Sequence, residues 1–235
     1  MHKENLKEII QWDVRAWSKA IAYWEKNIDW QNIHSALDLG AREGGLSLWL
    51  AQKGISTLCS DYSNTKEKAT PLHSKHSLSS NIDYQDIDAT NIPFENHFDL
   101  IIFKSIIGGI GKGDNIEIQK RVFDQINKAL KPGGVLLFAE NLTSTRIHKK
   151  LREIHNKWGD YWRYISVSEL GYLLKSFSSY EVHTTGVLGT LGRSEKQRNF
   201  LTRIDEITLN HIAPSKWHYI GYGIAKKGDF ENKTS

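Results

Sequence analysis

Only one cysteine, Cys59, occurs in the 235 residues of this chain. That excludes an intramolecular disulfide and fits a reducing cytoplasm. The thiol sits in the apolar run ISTLCSD and reads as a buried strand residue rather than a nucleophile. Long hydrophobic runs are missing too, so no segment is expected to span a membrane. The opening MHKENLKEIIQWD lacks the apolar block of a signal peptide, which points to a cytoplasmic location. Internal repeats, low-complexity linkers and composition shifts are also absent, and one domain is expected. Charge of one sign is not in large excess: the net charge is +4, with a pI near 9.0. The basic residues are scattered apart from a modest cluster at Arg193, Lys196, Arg198 and Arg203. A nucleic-acid binder concentrates its cations on one face, so this spread argues against a nucleic-acid partner.

Tryptophan is abundant, with eight copies. Trp12, Trp17 and Trp24 fall near the start, Trp158 and Trp162 in the middle. Leu6, Ile10, Val14, Trp17, Ile21 and Trp24 recur at three- and four-residue spacing, predicting one amphipathic helix over residues 4–26. SALDL then reads as a short strand, LSLWLAQKG as a helix stopped by Gly54, and ISTLCSD as a strand ending in Asp61. Residues 63–80 suggest a poorly patterned helix. NIDYQDIDATNIPF holds a short strand and a loop, and FDLIIFKSII is a buried strand. DNIEIQKRVFDQINKALKPGG is a helix in which Asp114 and Glu117 have capping-box spacing. VLLFAEN follows as another buried strand. Apolar strands alternating with helices predict an α/β fold: a doubly wound, mainly parallel, seven-stranded sheet with helices on both faces. Its core is expected at 30–141, 166–190 and 216–227. Helices over 3–28, 142–165 and 193–212 are expected to form a cap.

In such a sheet ligands lie beyond the carboxyl ends of the strands. The loop ALDLGAREGG is therefore the natural cofactor seat, with Gly40 turning sharply and Gly44 and Gly45 letting the next helix start near a ligand. A dinucleotide loop places its first glycine straight after an apolar strand. Here Asp38 comes first, which suits an ammonium or other cation better than a pyrophosphate and argues against a nicotinamide cofactor. Asp61 is placed to accept hydrogen bonds from ribose hydroxyls, and Asp88 to receive an adenine amino group. Three acids and no phosphate cradle suit a positively charged adenosine compound.

With these motifs in order (LDLGAREGG, SDY, DIDATNIPF, FDLIIFKS and LKPGG, across about residues 33–140) the chain resembles the class I S-adenosylmethionine (SAM) dependent methyltransferases. The resemblance implies SAM as cofactor and S-adenosylhomocysteine as product, with no metal. It assigns Gly40 and Ala41 to the methionine part, Asp61 and Tyr62 to ribose and adenine, and Asp88 and Ala89 to the flanks of the adenine. Lys104 and Ser105 fall beneath the sulfonium. Arg42 departs from the pattern, since the family usually carries glycine there. Its side chain either points away or pairs with the cofactor carboxylate; a decayed site is the third reading. Trp17, with Arg15, is a further candidate for reaching over the cofactor, although its periodicity serves core packing equally well.

The segment after strand four reads Phe103-Lys104-Ser105-Ile106 and lacks the Asn/Asp-Pro-Pro-aromatic segment of many enzymes that methylate nucleobase or glutamine nitrogens. Transfer to oxygen needs a base. His148 and His155, seven apart on an inserted helix, are candidates, as is Glu140 at the end of strand five. WGDYWRYIS, with Arg163, offers a stacking wall for a sugar or an aromatic acceptor, or hinge packing. The chain looks similar to small bacterial methyltransferases acting on glycans, lipids or secondary metabolites. A small-molecule or saccharide acceptor methylated at oxygen is thus expected. An RNA methyltransferase and a degenerate, cofactor-less interaction module are the alternatives.

Overall fold

Residues 3–111, 113–155 and 162–229 are described by the structure, a computed structural model, with backbone alone at 3, 4 and 151–155. Seven strands form one sheet in the order β3-β2-β1-β4-β5-β7-β6. They are β1 (Ser35–Leu39), β2 (Ser56–Asp61), β3 (Ile82–Asp86), β4 (Phe98–Lys104), β5 (Leu130–Asn141), β6 (Ser179–Thr185) and β7 (Ile220–Lys226). Pairings among β1 to β5 are parallel, and β7 runs antiparallel to both its neighbours. The strand order reverses between β1 and β4, and the crevice at their carboxyl ends is where an open α/β sheet takes a ligand.

The central strands are apolar throughout because both faces of the sheet are covered. Side chains alternate across a strand, so Ile101 and Phe103 face one layer while Leu100 and Ile102 face the other. On the first side, Val122, Phe123 and Ile126 of α6 (Ile116–Ala129) and Leu170 and Leu173 of α8 (Val167–Leu173) close the core. On the second side, Trp17, Ile21 and Trp24 of α2 (Val14–Asn27) pack with Trp49 and Leu50 of α3 (Gly45–Ala51). The expected cap over 3–28 is therefore largely a layer of the sheet core.

The single N-terminal helix expected over 4–26 is two, α1 (Lys3–Ile10) and α2. Gln11 and Asp13 both take left-handed backbone conformations, φ 72° and 47°, and break the run at Trp12. Tertiary bonds hold that break. The Tyr219 hydroxyl donates to Asp13 Oδ2 at 2.7 Å, and Glu195 accepts the backbone N–H groups of Asp13 and Val14 at 3.1 and 2.8 Å. The free amides at the start of α2 are thus capped from another helix. Local periodicity cannot register such partners.

The remaining helices are α4 (Thr65–Lys75), α5 (Ile107–Ile110), α7 (Arg146–His155), α9 (Glu195–Ile207) and α10 (Leu209–Ile212). The capping box of α8, Ser166 with Glu169, is formed as its spacing predicts. That of α6 is not: Asn115 is the cap, while Asp114 reaches Arg163 instead, at 2.7 Å. Cys59 is fully buried on β2, and burial pushes its thiol well up, which fits an inert strand residue. Among the described residues, no helix is long and apolar enough to cross a membrane.

Candidate active site

A cavity of about 1130 Å³ opens at the carboxyl ends of β1, β2 and β4. Its lining includes Gly40, Arg42, Asp61, Tyr62, Asp88, Ala89 and Ser105, seven of the residues singled out in the sequence. Backbone bonds shape this part of it. Asp61 accepts the N–H of Arg42 at 3.0 Å and that of Tyr62 at 2.6 Å, which ties the end of β2 to the glycine loop. Asp88 accepts both the N–H and the hydroxyl of Thr90, at 2.8 and 2.7 Å. Tyr62 lies 76% exposed, its ring free to stack on a planar ligand.

Of the three loop glycines, Gly40 and Gly45 border the site, while Gly44 lines no part of it. Gly40 turns at φ 73°, and a Cβ there would lie 2.4 Å from the Ile106 side chain. Gly44 makes room for His73, and Gly45 for the carbonyls of Glu8 and Ile9 at the end of α1. Both glycines let neighbouring elements close on the start of α3, and Gly45 also borders a small void behind the loop. Arg42 itself adopts the left-handed conformation, φ 52°, so the loop keeps the turn that glycine provides elsewhere.

Behind the loop lies a small void of about 20 Å³, bounded by Trp12, Asp38, Ala41, Arg42 and Lys104 among others. Asp38 Oδ2 accepts the N–H and hydroxyl of Ser47, at 2.8 and 2.7 Å, and anchors the start of α3; Oδ1 is buried without a hydrogen-bond partner. Burial pushes this carboxyl up to about 7, against the lowering by Ser47. Lys104 Nζ is likewise buried and without a hydrogen-bond partner, 2.9 Å from the Trp12 ring centroid. Burial, reinforced by Arg42, holds its ammonium well below the ordinary lysine value, with Glu140, Asp13 and Asp38 pulling the other way. The Arg42 guanidinium lies 5.1 Å from the same indole centroid. Beside one loop there are thus a buried carboxyl oxygen and a buried lysine nitrogen, each without a hydrogen-bond partner.

The cavity is also walled by Trp12, Asp13, Trp17, Asn141, Trp162, Tyr164 and Arg193, with His148, Arg198 and Tyr219; Trp12 borders the small void as well. Trp17 joins it from α2 while remaining 2% exposed, so packing and lining coincide. Trp162, foreseen as part of a stacking wall, sits against Gly108 and Gly109, where a Cβ would approach its ring to 1.8 and 3.1 Å. The companion Trp158 lies outside the described residues.

The three candidate bases fare differently from expectation. Glu140 is fully buried and does not line the cavity; its oxygens accept the N–H groups of Ile107 and Asn141, both at 2.8 Å. Its neighbour Asn141 lines the cavity instead, because adjacent strand residues point to opposite sides. Glu140 is therefore a residue that positions the β4–α5 loop, and burial raises its carboxyl to about 7. His148 does line the cavity, but Nε2 lies 2.7 Å from the Val187 carbonyl, and Nδ1 lies 2.6 Å from the Thr145 hydroxyl. With both ring nitrogens engaged it braces the insert and has no lone pair to offer. The side chain of His155 lies outside the described residues. Asp13 is the carboxylate that sequence reasoning missed. It follows a tryptophan in an unremarked turn, and its partner Tyr219 is 206 residues away.

The basic cluster of the sequence is split by the fold. Arg193 and Arg198 line the cavity, while Lys196 and Arg203 are exposed on α9 and take no part in it.

Residues 37–138 match the model of a family described as a methyltransferase domain. No curated protein matches the chain. Among solved structures, phosphoethanolamine N-methyltransferase 2 of Haemonchus contortus, in complex with phosphomonomethylethanolamine and S-adenosylhomocysteine, is similar at a TM-score of 0.64 and 20% identity. That alignment covers 91% of this chain and 53% of the other, so the chain spans about half the length of that relative. A putative sarcosine dimethylglycine methyltransferase from Galdieria sulphuraria matches at 0.62 and 16%, covering 91% and 84%. The [4+2]-cyclase SpnF matches at 0.59 and 16%, covering 91% and 81%. At such identities the likeness is one of fold, and it extends to a protein named for a different reaction.

Proposed function

We propose, from the premise that this chain belongs to the class I SAM-dependent methyltransferase family, that it moves a methyl group onto a small-molecule or saccharide acceptor, at oxygen. The observation that carries this reading is the continuous cavity. One half presents the loop and acids expected to hold an adenosine cofactor, and the other an aromatic and carboxylate wall. Its 1130 Å³ exceeds what one drug-sized ligand fills, leaving room for a small acceptor beside the cofactor. Bound SAM supplies an electrophilic methyl on sulfur. The residues of the chain then hold the acceptor in line with that methyl and exclude water.

For an acceptor hydroxyl, Asp13 is the best-placed base. Oδ2 is occupied by Tyr219 while Oδ1 is buried without a hydrogen-bond partner, so a small shift of the Trp12 side chain would let an acceptor hydroxyl reach it. Burial raises its carboxyl above the usual aspartate range, so it is a stronger base than an exposed aspartate. An RNA acceptor is less well supported, since the basic cluster divides between cavity and surface. A degenerate module is also less well supported, since the loop with Arg42 keeps its turn.

Calorimetric titration with S-adenosylhomocysteine, with NAD in parallel, tests the reading. Binding of the former alone supports it, and no heat from either ligand in folded protein overturns it. Asp61→Ala is expected to weaken S-adenosylhomocysteine binding by about 1.5–3 kcal/mol, the worth of charge-assisted hydrogen bonds, roughly 10- to 150-fold in Kd. Unchanged affinity would remove Asp61 from the site. Arg42→Gly trades left-handed strain of about 1–2 kcal/mol for glycine's greater unfolded-state entropy. The variant is expected to melt close to the parent while losing about tenfold in affinity if the guanidinium holds the cofactor carboxylate. Tighter binding by the glycine variant would show that Arg42 obstructs the site.

A further inference from the structure

The outer face of the inserted helices combines features that the methyl-transfer reading does not use. On α9, Lys196, Phe200, Arg203 and Ile207 fall at spacings of four, three and four, which puts them on one face. All four are exposed, Phe200 at 65% and Ile207 at 68%. The three acids of the same helix are all turned toward the protein. Glu195 caps α2, Asp205 accepts the N–H groups of Val187, Leu188 and Gly189, and Glu206 pairs with Arg15 and Lys19. What α9 shows to solvent is therefore basic and apolar, with its acids withdrawn.

The pattern continues beyond α9. Ile212 of α10 is 76% exposed and Trp217, just after it, 47% exposed. The Ser144 hydroxyl donates to the Trp217 carbonyl at 2.5 Å, which brings the start of α7 alongside. There Ile147 is 69% exposed between Arg146 and Lys149. Among the described residues, Arg146, Lys149, Lys150, Lys196, Arg203 and Lys216 form no ion pair. Residues 146–216 hold 12 Lys and Arg against 7 Asp and Glu, so the excess in this segment alone accounts for the whole chain's net +4.

We infer that this face docks on an anionic phospholipid bilayer. Isoleucine, phenylalanine and tryptophan side chains flanked by lysine and arginine are the composition of elements that lie in a membrane interface. Cations near an anionic leaflet add an attraction of their own. RNA would answer the cations but leave the aliphatic side chains bare. A second copy of the chain would bring like charges together across a twofold axis. The segment leading into α9, Thr190 to Arg193, is also wall of the cavity, so docking would set the acceptor half beside the lipid headgroups. The inference stands independently of the methyl-transfer reading.

The test is co-sedimentation of the full chain with vesicles of phosphatidylcholine alone and with a quarter phosphatidylglycerol. The expected result is preferential binding to the anionic vesicles by about tenfold or more, lost at high salt. The double variant Lys196→Glu/Arg203→Glu should bind both vesicles equally, and Phe200→Ser/Ile207→Ser should bind neither, with thermal melts confirming that each remains folded. Should the apolar variant fail to fold, the charge variant decides alone. Equal or absent binding of the parent to both vesicles overturns the inference. So does stronger retention on poly(U) than on vesicles, or a dimer in solution that Phe200→Ser/Ile207→Ser dissolves.

Discussion

Replacing Glu140 by alanine is expected to remove about 3–5 kcal/mol of folding stability, because the buried N–H of Ile107 and the half-buried N–H of Asn141 lose their acceptor and a void is left behind. For a chain of this size that lowers Tm by about 6–20 °C. The damage should spread to the site, since Ile107 follows Ser105 and Ile106, which line the cavity. The pH dependence has a definite sign. Burial raises the Glu140 carboxyl to about 7 from an unfolded value of 4.5, so between those values the folded state binds more protons. Its stabilising contribution is fully present below pH 4.5 and is lost as pH rises to about 7. Asp38, also raised to about 7, acts in the same direction. Urea midpoints of the parent should therefore fall between pH 5 and pH 8. Glu140→Gln, which cannot ionise, should reduce that fall. An unchanged slope in the glutamine variant would mean that Glu140 is already ionised at pH 5.

The second large effect is expected in turnover rather than stability. Asp13→Asn should leave the fold intact, because asparagine tolerates the left-handed conformation at φ 47° and its side-chain oxygen can still accept from Tyr219. S-adenosylhomocysteine affinity should fall far less than turnover, since Asp13 bonds to Tyr219 and Glu195 and not to the glycine loop, Asp61 or Asp88. Turnover of a hydroxyl acceptor should drop about 10²- to 10⁴-fold, the usual worth of a positioned base. The acidic limb of the pH–rate profile, set by a carboxyl held above the ordinary aspartate range, should vanish in the variant. Retained turnover with that limb intact would assign proton removal elsewhere. Retained turnover with an amine acceptor alone would indicate transfer to nitrogen.

The parts of the site legible in the sequence were those built from residues close together along the chain. Gly40, Asp61 and Asp88 stand at or just past the ends of β1, β2 and β3. Parallel strands place their ends along one edge, so reading each strand's last residues is enough to assemble that half of the cavity. The fold class followed for a similar reason: apolar strands alternating with amphipathic helices leave few ways to cover a sheet on both sides.

The rest of the cavity depended on contacts between distant segments. Glu140 and Asn141 differ by one position, and only the pleat of β5 decides which of them faces the cavity. His148 looked like a base until the fold brought Val187 to one ring nitrogen and Thr145 to the other. Gly44 looked like a ligand-facing glycine until His73 took the space beside it. Asp13 carried no local signal, and its role rests on Tyr219 and Glu195, each more than 180 residues away. By itself the sequence determined the sheet, the loop and the family of cofactor, because those are fixed by short-range pattern and strand ends. The tertiary structure decided which carboxylate lines the cavity and which basic residues face solvent, because burial and hydrogen-bond partners across the fold set both.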